Sequence, residues 1–293
     1  RATMKKSLIA AALAGLFALP AVAQTAAAPA APAAEEKSPH TFTANVGLFS
    51  SYRFRGIDQT NGKPALQGGF DYAHESGFYL GNWNSNISSG AGFPDGNLEM
   101  DFYGGYKLPI GDFTLDFGTI YYYYPGTDVG TVLSGSNSKN PGANVSGTAN
   151  NWEIYVGASW KFLSLKYFYS LQDYFSLPDS SGTSYLDLSA NYDLGDGWGI
   201  NAHVGHLYAS DYRYAFNTGG SDKIDYTDWK LGVTKDINGW VLSAAYIGTN
   251  ANGNCGNAEF YCFANTVDSN GNFGSKFKDA GRGIGVVSVS RTF

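Results

Sequence analysis

Histidine, cysteine, charge and long apolar runs are all scarce in this chain, and each scarcity removes a class of function. The only histidines are His40, His74, His203 and His206. A barrel hydrolase needs a Ser, a His and an acid held together. His40 lies at the end of an Ala/Pro-rich stretch and His74 in a tight turn. His203 and His206 are three apart on an expected strand, so their side chains face opposite sides and cannot share a metal or a substrate. No Gly-x-Ser-x-Gly or zinc-spaced motif is present, and the reading is a non-enzyme without a cofactor. The two cysteines, Cys255 and Cys262, sit close together in a Gly- and Asn-rich segment. In an exported chain that pair reads as one local disulfide clamping a loop; half of a metal site would need His or further Cys nearby. Charged residues make up 15% of the chain, against roughly 25% in ordinary globular domains. The formal net charge is −6 with no basic stripe, which argues against nucleic acid as a partner. Beyond the first two dozen residues no run approaches the ~18 apolar residues of a spanning helix. Any crossing of a bilayer must therefore be made by strands.

What is present begins with Met4-Lys5-Lys6, an apolar stretch from Leu8 to Leu19, and Ala21-Val22-Ala23 before Gln24. These are the three parts of a secretory signal, expected over residues 1–23 with Arg1 to Thr3 as upstream sequence. Its apolar run is shorter than the ~20 residues a membrane anchor needs. Loss of Arg1, Lys5 and Lys6 with the signal leaves the mature chain more acidic. Residues 24–40 are rich in Ala and Pro and cannot bury a core, so they read as a linker. The barrel is expected over 41–293.

From Phe42 onward apolar residues recur at every second position in segments of ten to fourteen, separated by Gly, Asn, Asp, Ser and Pro. Trp152, Ile154, Val156, Ala158, Trp160 and Phe162 alternate with Glu153, Tyr155, Gly157, Ser159 and Lys161. The same pattern returns at 98–108 and 186–194. Twelve strands follow, near 41–57, 62–74, 77–88, 97–109, 112–125, 151–162, 163–175, 183–194, 198–210, 224–236, 239–250 and 281–293. Every second connection is tight, as in His74-Glu75-Ser76-Gly77 and Asp236-Ile237-Asn238-Gly239. The others are mostly long and polar, notably 126–150, 211–223 and 251–280. Connections sorted in this way are what a barrel threaded through a membrane produces, with turns at one rim and surface loops at the other. An even strand count returns both ends to the same, periplasmic side. Aromatics cluster near segment ends, at Tyr121 to Tyr124, Trp152, Trp160, Trp198, Trp229 and Trp240, as interface girdles would require. The fold class is thus all-β, a transmembrane antiparallel up-and-down barrel of about twelve strands.

The stretch Ser51-Tyr52-Arg53-Phe54-Arg55-Gly56-Ile57-Asp58-Gln59-Thr60, then Lys63-Pro64-Ala65-Leu66-Gln67-Gly68-Gly69-Phe70-Asp71-Tyr72, the strand start Gly77-Phe78-Tyr79 and the ending Val287-Ser288-Val289-Ser290-Arg291-Thr292-Phe293 resemble the proteobacterial TorF-type, Gcw_chp-like porin family. The resemblance is strongest after the linker and at the end. It implies an outer-membrane barrel in a bilayer of lipids, with a channel role. The terminal strand ending on Phe293 looks like the signal that barrel-assembly machinery reads. Arg291 stands where a hydrophobic residue is usual, and near the rim it can snorkel to the headgroups.

If the polar faces line a lumen, they carry Arg53, Arg55, Asp71, Glu99, Asp101, Asp116, Glu153, Lys166, Asp187, Asp228 and Lys230, seven acids against four bases. An acidic excess favours cations or neutral polar solutes. Arg53 and Arg55, alternate on the first strand, share a face and read as counter-ions for those acids rather than a basic ladder. About twelve strands is an intermediate size between filled and open barrels. The leading expectation is a passive channel for small polar solutes or ions with a mildly cation-favouring lumen, a monomer in preference to an oligomer. The alternative is a plugged structural or adhesive barrel whose loops 126–150 and 251–280 bind a surface partner. Entry of a loop into the barrel separates the two.

Overall fold

The computed structural model describes residues 38–215 and 221–293; the expected signal segment and most of the linker lie outside the described residues. Twelve strands form one closed barrel, each antiparallel to its neighbours in chain order. They are β1 His40–Phe49, β2 Ala65–His74, β3 Phe78–Asn86, β4 Leu98–Ile110, β5 Phe113–Tyr123 and β6 Asn151–Trp160. The second half is β7 Leu163–Ser170, β8 Ser184–Gly195, β9 Trp198–Tyr208, β10 Tyr226–Ile237, β11 Trp240–Thr249 and β12 Ile284–Thr292. β12 closes on β1 through pairs such as Asn45 with Thr292 and Phe49 with Ser288.

The alternation read from the sequence sorts the two faces, inverted relative to a soluble protein. On β6, Trp152, Ile154 and Val156 are exposed, while Glu153 and Tyr155 are buried. Leu66, Phe70 and Leu231 are each more than 60% exposed on the outside. An exterior this apolar is stable only against lipid, and strands of 8 to 13 residues match the ~9–11 that a tilted spanning strand needs. The molecule is a membrane-spanning barrel of the outer-membrane type. No described helix is long and apolar enough to cross a membrane. At the short-turn rim, Asp196-Gly197 and Asn238-Gly239 each place two residues at positive φ. That is the turn whose twist matches antiparallel strands.

The polarity of the faces gives a direct test. Val156→Asp puts a charge on the lipid face, at a cost of about 2 kcal/mol near the midplane, and is expected to lower the yield of folded barrel in refolding into lipid vesicles. Ser159→Asp on the inner face is expected to be tolerated. Equal loss at both positions would overturn the assignment of faces.

At the opposite rim the long loops knit together. Ser88 Oγ donates to Asn265 O (2.6 Å), Asn137 Nδ2 to Pro178 O (2.8 Å) and Tyr261 Oη to Ile224 O (2.6 Å). Phe93 stacks on Tyr124 with ring centres 4.0 Å apart. Cys255 and Cys262 are disulfide-bonded within the last long loop, as their spacing suggests. A surface pair, Lys139 Nζ to Asp211 Oδ1 at 2.7 Å, ties two further loops, and that bond holds the Asp211 carboxyl below its ordinary range.

The first strand departs from the expectation. It ends at Phe49 rather than near residue 57, and the chain turns into the bore. There Arg53–Phe54 pairs with Ile57–Asp58 in a minimal hairpin. Its turn residues, Arg55 (φ 47°) and Gly56 (φ 79°), both have positive φ, the two-residue turn that suits a tight hairpin. Arg53 and Arg55 therefore do not share a strand face, because the backbone reverses between them.

Candidate functional site in the barrel lumen

Half of the bore is filled by the inward faces of β3 to β7. Tyr79 Oη donates to Asp116 Oδ1 (2.6 Å) and touches the Tyr155 hydroxyl. Lys166 Nζ pairs with Asp116 Oδ2 at 2.8 Å and lies 4.7 Å from the Tyr155 ring centre. Tyr103 Oη donates to Asp71 Oδ1 at 2.5 Å. These rings reach across the bore because the facing inward positions are glycines. A Cβ at Gly118 would collide with the Tyr155 hydroxyl, and one at Gly81 with the ring of Tyr103. Gly118→Val is therefore expected to overpack this wall and cost about 1–3 kcal/mol, read as a lower urea midpoint. An unchanged midpoint would mean that the ring moves aside freely.

The hairpin lies across the bore like a bar. A Cβ at Gly56 would strike Asp228 on β10 and Thr249 on β11, so the tip is wedged against that wall. From the same tip Arg55 reaches β6, where Nη1 and Nη2 donate to Glu153 Oε1 and Oε2 at 3.0 and 2.7 Å. Asn151 Nδ2 and Tyr122 Oη also donate to Glu153. The guanidinium is packed among Phe54, Phe168 and Tyr185 and donates to Tyr174 Oη at 3.1 Å. Burial opposes its charge, yet the Glu153 carboxylate holds its pKa well above the ordinary arginine value. Arg53 secures the base of the hairpin. Its Nη1 donates to Ala280 O (2.8 Å), and its Nη2 lies 3.5 Å from Asp58 Oδ2. Asp58 also receives Arg282 Nη2 at 3.2 Å.

Between the bar and the short-turn rim lies a cavity of about 210 Å³. One side holds a carboxylate–imidazole–carboxylate group. His203 Nε2 is 2.8 Å from Asp228 Oδ1 and Nδ1 is 3.3 Å from Asp187 Oδ2. Tyr185 Oη donates to Asp228 Oδ2 (2.8 Å) and Ser189 Oγ to Asp187 Oδ1 (2.6 Å). Ser189, His203 and Asp228 thus come together after all. However, each ring nitrogen faces a carboxylate and the serine proton is already directed to Asp187. Ser189 Oγ also lies 3.2 Å from His203 Nδ1, but a carboxylate stands at each ring nitrogen, so the imidazole is shared between two acids that keep one negative charge between them even when it is protonated. His206 lies on the other face of β9, with Nδ1 2.8 Å from Thr227 Oγ1.

The other wall of the cavity is different in kind. Asn45, Asn191, Asn201, Lys230, Ser243 and Ser288 line it, and none of these side chains has a hydrogen-bond or ion-pair partner among the described residues. Gly232 leaves room for Asn201, whose Oδ1 lies where a Cβ would crowd it.

All eleven expected lumen residues are inside the barrel, but they divide into separate groups. Asp116 with Lys166, and Asp71 with Tyr103, belong to the filled half. Glu99, bonded by Tyr52 Oη at 3.1 Å, and Asp101 are fully buried above it. Glu153, Arg53 and Arg55 belong to the bar, Asp187 and Asp228 to the histidine group, and Lys230 to the open wall. Of the seven acids, only Asp187 and Asp228 line the cavity, and they share one imidazole. Sequence reasoning missed His203 and the buried tyrosines. The one available signal was Gly opposite Tyr on inward positions of paired strands, as in Gly118 with Tyr155.

A family model described as bacterial protein of unknown function (Gcw_chp) matches residues 33–272. No curated protein matches the chain. Among solved structures it is similar to a KdgM porin, at 8% identity over 86% of this chain and 98% of that one, with a TM-score of 0.45. It is similar to a NanC porin, at 12% identity over 86% and 99%, with a TM-score of 0.45. It is also similar to the P. putida toluene transporter TodX, at 12% identity over 88% and 91%, with a TM-score of 0.42.

Proposed function

The chain belongs to the Gcw_chp family of bacterial proteins, and we propose that this member is an outer-membrane channel for small polar solutes, barred on its long-loop side by the hairpin at residues 53–58. One observation carries the reading. A polar cavity with unclaimed donors and acceptors runs up to a bar whose tip is tied across the bore by a single side-chain ion pair, Arg55 with Glu153. A plug meant only to fill a barrel would be expected to satisfy most of its polar groups, as Asp116 with Lys166 and Tyr79, and Asp71 with Tyr103, do in the filled half. Here the second half is left lined for a solute. Removing the bar would join the cavity to the long-loop end.

A second reading, a closed structural barrel that binds a surface partner, is favoured by the way the long loops lock together through Ser88, Asn137 and Tyr261. Single-channel recording in a planar bilayer under a salt gradient separates the two. The mature protein is compared with a variant whose residues 52–59 are replaced by a short Gly/Ser link, both verified as folded by heat modifiability on gels. The wild type is expected to give small, intermittent openings and the variant larger, steadier ones. A folded, inserted variant that stays silent would remove the channel reading and leave the closed barrel.

A further inference from the structure

We infer that the cavity is a binding subsite for a small hydroxyl-bearing solute carrying one carboxylate, with Lys230 as the residue that selects the anion. The inference rests on the channel reading and narrows its solute.

The argument begins with charge. Of the six acidic, basic and imidazole side chains lining the cavity, five have an ion-pair contact. Arg53 has Asp58, Arg55 has Glu153, and Asp187 and Asp228 share His203. Lys230 is the exception, on β10 beside His203 of β9 and Ile247 of β11. A largely enclosed ammonium with no counter-ion in contact among the described residues is costly in a low-dielectric bore. An anion entering from the short-turn side would relieve that cost. A cation would meet carboxylates whose oxygens are engaged by an imidazole and a tyrosine.

Shape and the remaining groups define the rest of the solute. Asn45, Asn191, Asn201, Ser243 and Ser288 spread over β1, β8, β9, β11 and β12, so their amides and hydroxyls are distributed around the ammonium rather than beside it. Such groups match alternating donors and acceptors, which is the pattern of a polyhydroxylated chain or ring. Asn201 Oδ1 is buried without a donor and would accept from a solute hydroxyl. The opposite side is closed by the rings of Trp83, Tyr122, Phe168 and Tyr185, which are almost fully covered by their neighbours and bound the site with an apolar wall. The volume of about 210 Å³ admits one such molecule and no chain of them. A single ammonium at the site calls for a single negative charge.

Three probes with six-carbon polyol chains test this by calorimetric titration of the folded barrel in detergent: gluconate, neutral glucitol and cationic N-methylglucamine. Gluconate is expected to bind about tenfold tighter than glucitol at low salt, with N-methylglucamine weakest. Raising the salt should narrow the gap. Lys230→Gln, close in size and uncharged, should bring gluconate down to the level of glucitol, whereas Lys230→Arg should keep the preference. Equal binding of gluconate and glucitol by the wild type, or an unchanged preference in Lys230→Gln, would overturn the inference. The titration needs no conduction. Loss of the gluconate preference therefore counts against this subsite alone, and a silent bilayer recording counts against the channel alone.

Discussion

Glu153→Ala is expected to destabilise the barrel by about 3–5 kcal/mol, the usual cost of leaving one member of a buried ion pair without its partner. Both side chains are almost fully enclosed, at 6% and 1% exposure. The bond is bidentate, the strongest geometry available to an arginine and a carboxylate. With the carboxylate gone, the guanidinium keeps, among the described residues, the Tyr174 hydroxyl as its one hydrogen-bond partner, inside a shell of aromatic rings. Two escapes are open: the barrel bears the cost, or the hairpin withdraws toward water and carries Arg55 with it. Urea unfolding in lipid vesicles reads the first and single-channel conductance reads the second, since withdrawal unbars the bore. The double replacement Arg55→Met with Glu153→Leu is expected to restore most of the stability, because no charge then remains to be solvated. A loss for Glu153→Ala within the ±0.5 kcal/mol of an ordinary surface change would show that the pair does not hold the hairpin.

Period two along the strands made the barrel legible. Trp152 to Trp160 states which residues meet lipid, and Asn238-Gly239 states where the chain must reverse. Those are local facts, fixed by neighbours in sequence. The hairpin was not legible, and the reason is physical. Arg53, Phe54 and Arg55 alternate as a strand does, and Arg55-Gly56 becomes a turn only because Glu153 waits about a hundred residues on and Asp228 and Thr249 supply the wall against which the tip rests. The charge tally leaves out partners for the same reason. Seven acids and four bases can be counted along the chain, but His203, absent from that count, binds two of the acids through register between β8, β9 and β10. Which cation is left over, Lys230, depends on every other pairing at once. An alternating pattern says which side of the sheet a residue faces and nothing about what it meets there.

Asp101→Leu is expected to stabilise the barrel by about 1–3 kcal/mol, the range associated with a buried polar group that lacks a partner. Asp101 is completely enclosed, and neither of its carboxyl oxygens has a hydrogen-bond partner among the described residues. Two residues earlier on the same inward face, about 7 Å away along the strand, Glu99 is equally enclosed with Oε2 unpartnered. Two buried carboxyl groups at that spacing also disfavour each other's charge. Leucine has the branched skeleton of aspartate, with two larger methyl groups in place of the oxygens and no group to satisfy, and its neighbours Trp83 and Tyr122 across the two flanking strands would pack against it. Asp101→Asn keeps an unsatisfied amide and should recover less. The comparison, made by urea unfolding in vesicles, distinguishes a residue carried at a cost from one that is used. A gain for leucine larger than for asparagine places Asp101 in the first group, and a loss for both would mean that its carboxyl group holds something the barrel needs.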